Sequence, residues 1–263
     1  MISVYFSAVK ANVLQQLAYK GEFLLRNISL VIFIGIFAAL WQTAYRYGGY
    51  AQQIGYQYED MVWYLATTEA ILLARSQLWG KISQEIKSGE IAYAMSKPYT
   101  YPLFELAASF GESLFRFILN IVIASLCALV LTGTFIENPL AWGMFGVMAI
   151  FSLVIDAGIG LVIGILSFFF EEVEPVYWVY DKILYTLGGL FFPIEIFPDF
   201  LKKIAEILPF KTILYLPAKS LIKFNLQTSV EGFAQQAIVL ASLFLLVVLL
   251  WSVSVRKVTI HGG

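Results

Sequence analysis

Six apolar runs dominate this sequence and limit what it can fold into. They cover Ile28–Ala44, Met61–Leu78, Leu103–Leu131, Ala141–Phe170, Val176–Phe192 and Phe233–Val255. A helix needs about 20 mostly apolar residues to cross a bilayer. The alternation expected of barrel strands is missing from these runs. The reading is an all-α integral membrane protein with six transmembrane helices in a single transmembrane domain, 1–263. The second run is interrupted by Glu69 and Arg75, and the fifth is short. Composition closes off the alternatives. Hydrophobic residues make up 60% and charged residues 13% of the chain, against about 25% charged in soluble domains. A soluble fold of this length has too little interior to hide so much apolar side chain. One cysteine, Cys127, and one histidine, His261, exclude an internal disulfide, a Cys/His zinc site and a histidine-based triad within the chain. No metal site and no catalytic residues are expected. A net charge of −1 gives no bulk attraction for nucleic acid.

The apolar run nearest the N-terminus starts too late, and lacks a small-residue cleavage site, for a signal peptide. Residues Val4 to Tyr19 instead place Val4, Ala8, Val9, Val13 and Leu17 at helical spacing, with Lys10, Asn12 and Gln16 on other faces. That pattern predicts an amphipathic interfacial helix within 1–26; a short extension of the first span is the plainer alternative. Lys and Arg set the orientation. Lys10, Lys20, Arg26, Lys81, Lys87, Lys97, Arg256 and Lys257 fall on one side of a six-span chain, whereas the opposite short loops hold only Arg46. Both termini are therefore expected in the cytoplasm. Two segments run against the rule. Glu171, Glu172, Glu174 and Asp181 make an expected cytoplasmic loop acidic, and Lys202, Lys203, Lys211, Lys219 and Lys223 lie in an expected external segment. Acids weigh little in the rule, and long segments translocate regardless of charge.

Two connections are longer than turns require. Gly80–Pro102 has helical potential over Lys81–Lys87, a stop at Ser88-Gly89 and a resumption over Glu90–Met95. It reads either as a docking helix for a cytoplasmic partner or as a solvated loop. Gly188–Pro217 contains Pro193, Pro198, Pro209 and Pro217, which break any continuous helix. Between Pro198 and Pro209, Phe200, Leu201, Ile204, Ile207 and Leu208 form an apolar face opposite Asp199, Lys202, Lys203 and Glu206. The fifth span should end early, turn at Gly188-Gly189 or at Pro193, and continue as a broken helical hairpin, 191–217, packed on other helices or lining a cavity. An external loop with interfacial aromatic anchors is the plainer reading.

Ionisable residues inside the runs are costly unless paired or solvated. Glu69 and Arg75 lie in the second run, Glu105, Glu112 and Arg116 in the third, Asp156 midway along the fourth. Glu112 and Arg116, four apart, can pair. Glu69, Glu112, Arg116 and Asp156 are candidates for an intramembrane polar path. Asp156 leads them, being deepest and without a cation on its own helix. Gly158, Gly160 and Gly164 beside it have the small-residue spacing, including G-x-x-x-G, of a close-packing helix face, within the fold or between subunits.

Three segments taken together resemble a known family. IKSGEIAYAMSKPYTYPLFELAASFGESLFRFILN, 86–120, GGLFFPIEIFPDFLKKIAEILPF, 188–210, and QLAYKGEFLLR, 16–26, are similar, in order, to the type-2 permeases of ATP-binding cassette (ABC) exporters, and specifically to a bacterial six-span subfamily of about the present length. The resemblance covers nearly the whole chain. It implies a half-transporter in the bacterial inner membrane that forms a homodimer, or a heterodimer with a related permease, and recruits two copies of a separate cytoplasmic ABC ATPase. It implies that Lys81, Ile82, Gln84, Glu85, Lys87, Ser88, Gly89, Glu90 and Tyr93 form the coupling contact, with Glu171, Glu172 and Glu174 as a second contact. It also implies that the hairpin with Gly188, Gly189, Pro193, Pro198 and Pro209 gates the outer exit. No phosphate-binding G-x-x-x-x-G-K-[ST] motif occurs, so ATP and Mg are expected in the partner and no cofactor on this chain. A proton- or ion-coupled transporter using the intramembrane carboxylates is the rival reading, and an intramembrane enzyme a third. The substrate, whether amphipathic, lipid-linked, glycan, drug or peptide, is not encoded in any motif.

Overall fold

The computed structural model describes the backbone of residues 2–18, 20–48 and 55–261, and the side chains of 4–16, 27–47 and 55–256. Tyr19 and the side chains of Leu17, Lys20, Arg26, Lys257 and His261 lie outside these. Among the described residues the chain is helical throughout, without strands. In chain order the helices are α1 (Ile2–Ala18), α2 (Lys20–Gly48), α3 (Tyr58–Leu72), α4 (Leu78–Ser88), α5 (Glu90–Met95), α6 (Tyr101–Thr132), α7 (Pro139–Ile165), α8 (Glu174–Leu187), α9 (Asp199–Ile207), α10 (Tyr215–Ile222) and α11 (Leu226–His261).

Four described segments are long and apolar enough to cross a membrane: Asn27–Tyr47, Tyr101–Thr132, Pro139–Phe168 and Leu226–Arg256. They contain the first, third and sixth runs and all but the last two residues of the fourth. The second and fifth runs differ from expectation. Met61–Leu78 is not one helix: α3 stops at Leu72 and α4 starts at Leu78. Val176–Phe192 is helical only to Leu187, as α8, 14 residues long. Each end has an identifiable cause. Arg75 sits in the break after α3, where the backbone leaves the helix to aim the guanidinium at carboxylates on α7 and α8. Gly189, at φ +76°, turns the chain after α8 in the left-handed region that glycine favours.

The other boundaries follow local chemistry. Gly89 (φ +78°) and Gly133 (φ +67°) cap the C-termini of α4 and α6. Asn138 Oδ1 accepts from the Leu140 and Ala141 amides at the start of α7, and Pro139 occupies its first position, where no donor is lost. The stop at Ser88-Gly89 and the restart at Glu90 agree with the sequence reading. Pro217 departs from it: the residue lies in the first turn of α10, which a proline tolerates.

The central helix is α7. Of its most apolar window 67% is buried, against 17–22% in the other three long spans. Its glycines set the neighbours' approach. A Cβ on Gly164 would stand 2.8 Å from Ile82 Cβ on α4, and one on Gly158 2.5 Å from Leu243 Cδ2 on α11. The small-residue face thus packs inside the subunit. α1 runs along α6 instead of lying free: a Cβ on Gly111 would meet the Val9 carbonyl oxygen at 2.5 Å, and Ala8 is buried. Gln16, expected on an outer face, reaches inward and accepts from Arg116 Nε at 3.1 Å, while Val4, Phe6 and Leu14 are exposed.

Candidate functional site

The break after α3 gathers a buried cluster of polar contacts. Arg75 Nε meets Asp156 Oδ1 at 2.6 Å, and Arg75 Nη1 meets Asp181 Oδ1 at 2.9 Å. The Tyr180 hydroxyl donates to Asp156 Oδ1 at 2.6 Å, and Arg75 Nη2 donates to the Tyr177 hydroxyl at 3.3 Å. The guanidinium also lies over the Tyr180 ring, 5.2 Å from its centroid. Five donors in a planar fork suit this work, binding two carboxylates at once. The freed backbone is covered as well: Arg116 Nη1 donates to the Arg75 carbonyl at 3.4 Å. Arg116 in turn pairs with Glu112 at 2.5 Å, as the i,i+4 spacing predicts. A polar cavity of about 400 Å³ opens over the cluster, lined by Arg75, Glu112, Arg116, Tyr177, Asp181 and Tyr185.

Of the four path candidates, Glu112, Arg116 and Asp156 converge here, and Glu69 does not. Glu69 is buried on α3, with Oε1 lacking a hydrogen-bond partner. Asp156 has no cation on its own helix but takes one from the α3–α4 break. The missing members were Tyr177, Tyr180 and above all Asp181, which the sequence reading left in an acidic loop. The spacing Tyr177-Asp181 just after Pro175 was the available signal, since it places both on one helix face, and a buried arginine demands carboxylates.

At one end of the bundle, α4 and α5 expose Gln84, Lys87, Ser88, Gly89, Glu90 and Tyr93. Three other expected contact residues are used within the subunit. Ile82 is fully buried against Gly164, a correction to its assignment as a surface contact. Lys81 pairs with Glu105 at 2.5 Å, and Glu85 accepts from the Tyr101 hydroxyl at 2.5 Å. Glu171, Glu172 and Glu174 are exposed. Lys87 Nζ reaches Glu172 Oε1 at 3.0 Å, so the two expected contact regions form one continuous surface.

At the other end, the segment after α8 is fastened to α3. The Tyr64 hydroxyl donates to the Gly189 carbonyl, and Thr68 Oγ1 donates to the Leu190 carbonyl at 2.9 Å. Gly188 O accepts from the Tyr215 amide at 3.2 Å. Pro193, Pro198 and Pro209 each introduce a short helical turn or helix, the second being α9. Asp199 lies in the first turn of α9, after Pro198 at the cap position. Only Ala205 of α9 is buried; Phe200, Ile204 and Ile207 are exposed while Leu201 and Leu208 are half-buried, and Glu195, Lys202, Glu206 and Lys211 line a cavity. Glu195 accepts from Tyr215 at 2.6 Å and from Lys219 at 2.5 Å. Burial alone would raise the Glu195 carboxyl, but the hydrogen bonds from Lys219 and Tyr215 outweigh it and hold the group below its ordinary value.

α3 therefore touches both regions: Tyr64 and Thr68 in its middle and later turns hold the segment after α8, and its last residue leads into Arg75 and α4. Comparison with curated proteins gave no match. The family model described as ABC-2 family transporter protein matches residues 30–262, taking in α4, the ion cluster and the hairpin alike. This chain, a multi-pass membrane protein by its apolar helices and a partner of an ABC ATPase by its family, belongs to the ABC-2 family of transporter proteins.

Proposed function

We propose that the chain is the permease subunit of an ATP-driven exporter. Two copies, or one copy and a related permease, would make the pathway, with two ABC ATPase subunits docked from the cytoplasm of a bacterial inner membrane. α3 and α8 serve as short second and fifth crossings, making six, with both termini inside. ATP and Mg belong to the ATPase, and this chain carries out no hydrolysis. Its substrate is an amphipathic or lipid-linked compound, a glycan, a drug or a peptide.

The observation that carries this reading is the continuity of α3. Gln84, Lys87, Ser88, Gly89, Glu90 and Tyr93 offer an ATPase a surface at one end. α4 is seated on α7 through Gly164 and connects through Arg75 to α3, whose Tyr64 and Thr68 hold the hairpin at the other end. Movement of α4 on ATP binding is thereby passed to the exit gate as a shift between two packed arrangements. The rival ion-coupled reading leaned most on Asp156, and that carboxylate is occupied by Arg75 and Tyr180. The test is extraction of the tagged chain in mild detergent. It should carry an ATPase in equal number, and ATP-dependent transport in vesicles should be lost when that subunit is removed. Full transport by the chain alone, driven by a pH gradient without ATP, sinks the reading.

A further inference from the structure

Between the hairpin, the first turns of α11 and Met148 of α7 lies a cavity of about 380 Å³. Six charged side chains line it: Glu195 before α9, Lys202 and Glu206 on α9, Lys211 just beyond it, Lys219 on α10 and Glu231 on α11. Lys219 and Glu195 neutralise each other at 2.5 Å. The other four, two of each sign, make no ion pair among the described residues. Lys202 and Glu206 stand one helical turn apart and still do not meet. Glu231 accepts only from the neutral Gln227 amide, at 3.1 Å. Ser229 Oγ and Glu195 Oε2, on two of the lining residues, are buried without a hydrogen-bond partner. Beside the cavity, α9 exposes Phe200, Ile204 and Ile207.

The charge pattern selects a ligand class. A simple anion drawn to Lys202 and Lys211 is repelled by Glu206 and Glu231, and a simple cation meets the reverse. A ligand with both signs satisfies all four groups. Two lysines on separate elements suit an anion with several oxygens, and carboxylates suit a primary ammonium with its three donors. We propose that this cavity binds a phosphate ester bearing a primary amine, a phosphoethanolamine group, with Lys202 and Lys211 on the phosphate and Glu206 and Glu231 on the ammonium. Where the group heads a lipid, the apolar face of α9 receives its chains; a soluble ester uses the cavity alone. The position of the cavity at the outer leaflet rests on the proposed function, whereas its charge pattern does not.

The test is titration calorimetry on the full chain in detergent with short-chain phosphatidylethanolamine, short-chain phosphatidylglycerol and glycerophosphoethanolamine. The ethanolamine lipid should bind at least tenfold tighter than the glycerol lipid, which has the same phosphate and chains but no amine. Lys202→Gln with Lys211→Gln, and separately Glu206→Gln with Glu231→Gln, should each weaken binding at least tenfold. Lys203→Gln, on α9 but outside the cavity, should leave it unchanged. A lipid source is indicated by the ethanolamine lipid exceeding the soluble ester tenfold or more, and a soluble source by equal affinities. Equal binding of the two lipids, or unaltered binding in both double variants, overturns the proposal. No ATPase or transport enters the readout, so this result and the permease assignment stand or fall separately.

Discussion

Arg75 and Asp156, 81 positions apart, meet at 2.6 Å with both side chains almost wholly buried. Their contact fixes the break after α3 to the middle of α7. Removing one partner of a buried pair strands the other charge, a loss of about 3–5 kcal/mol. Arg75→Gln and Asp156→Asn should each lower the melting temperature in detergent strongly. Arg75→Gln with Asp156→Asn should lower it less than the sum of the two single losses, because neither member then strands the other, although Asp181 still loses its cation. Full additivity in that cycle would show that the residues do not act as a pair.

The seat of α4 on α7 is steric. Gly164→Leu drives a side chain into Ile82 Cβ and the Trp79 carbonyl, a clash of about 1–3 kcal/mol. Gly143→Ala on the same helix meets nothing within 4 Å and should be neutral or stabilising by up to about 1 kcal/mol. Thermal melts of the two variants check the contrast. The first should also reduce transport-coupled ATP hydrolysis more than its stability loss explains.

Gly111 sets how closely α1 lies on α6, since a Cβ there would stand 2.5 Å from the Val9 carbonyl oxygen. Gly111→Val should lift α1 away while the rest of the bundle stays folded. Limited proteolysis should then cut within residues 2–18, sites the parent protein protects.

Lys87 and Glu172 are exposed, and such pairs contribute about 0–1 kcal/mol to stability. Lys87→Glu should leave the melting temperature nearly unchanged but reduce recovery of the ATPase partner several-fold on co-purification. An equal fall in both would make the pair structural, with no part in docking.

Glu195 supplies a pH signature. Its carboxyl is held below the ordinary 4.5, so its contribution to stability is complete above that value and is lost as pH falls through the lower folded-state value. Hydrogen exchange over 188–222, corrected for intrinsic pH effects, should show protection that is flat from neutral pH to about 5 and declines at more acid pH. Glu195→Gln should flatten that acid limb.

Much of the helical plan was legible because apolar runs and glycine-proline punctuation act locally. Gly89, Gly189 and Pro198 mark boundaries where the structure has them. The length of the helix in the second apolar run was not legible, because its end is decided by carboxylates 81 and 106 positions away from Arg75. A single run of residues shows the cost of a buried cation but not where its partners lie. Ile82 misled for a related reason: a helix pattern identifies an apolar face, and only Gly164 shows that this face is already occupied. Asp181 was hidden among neighbouring acids, though it alone of them turns inward.

At 14 residues, α8 rises only about 21 Å, and it presents Val176, Trp178 and Val179 outward. The hydrocarbon layer of a typical bilayer is about 30 Å deep. Used as a crossing, α8 leaves oil unmatched, so lipids around it must compress or the helix must be met by another subunit. Under the proposed six-span arrangement, tail length becomes a variable of the permease: short-tailed lipids relieve the mismatch beside α8, long-tailed ones increase it, and the same polypeptide should run at different speeds in membranes of different thickness.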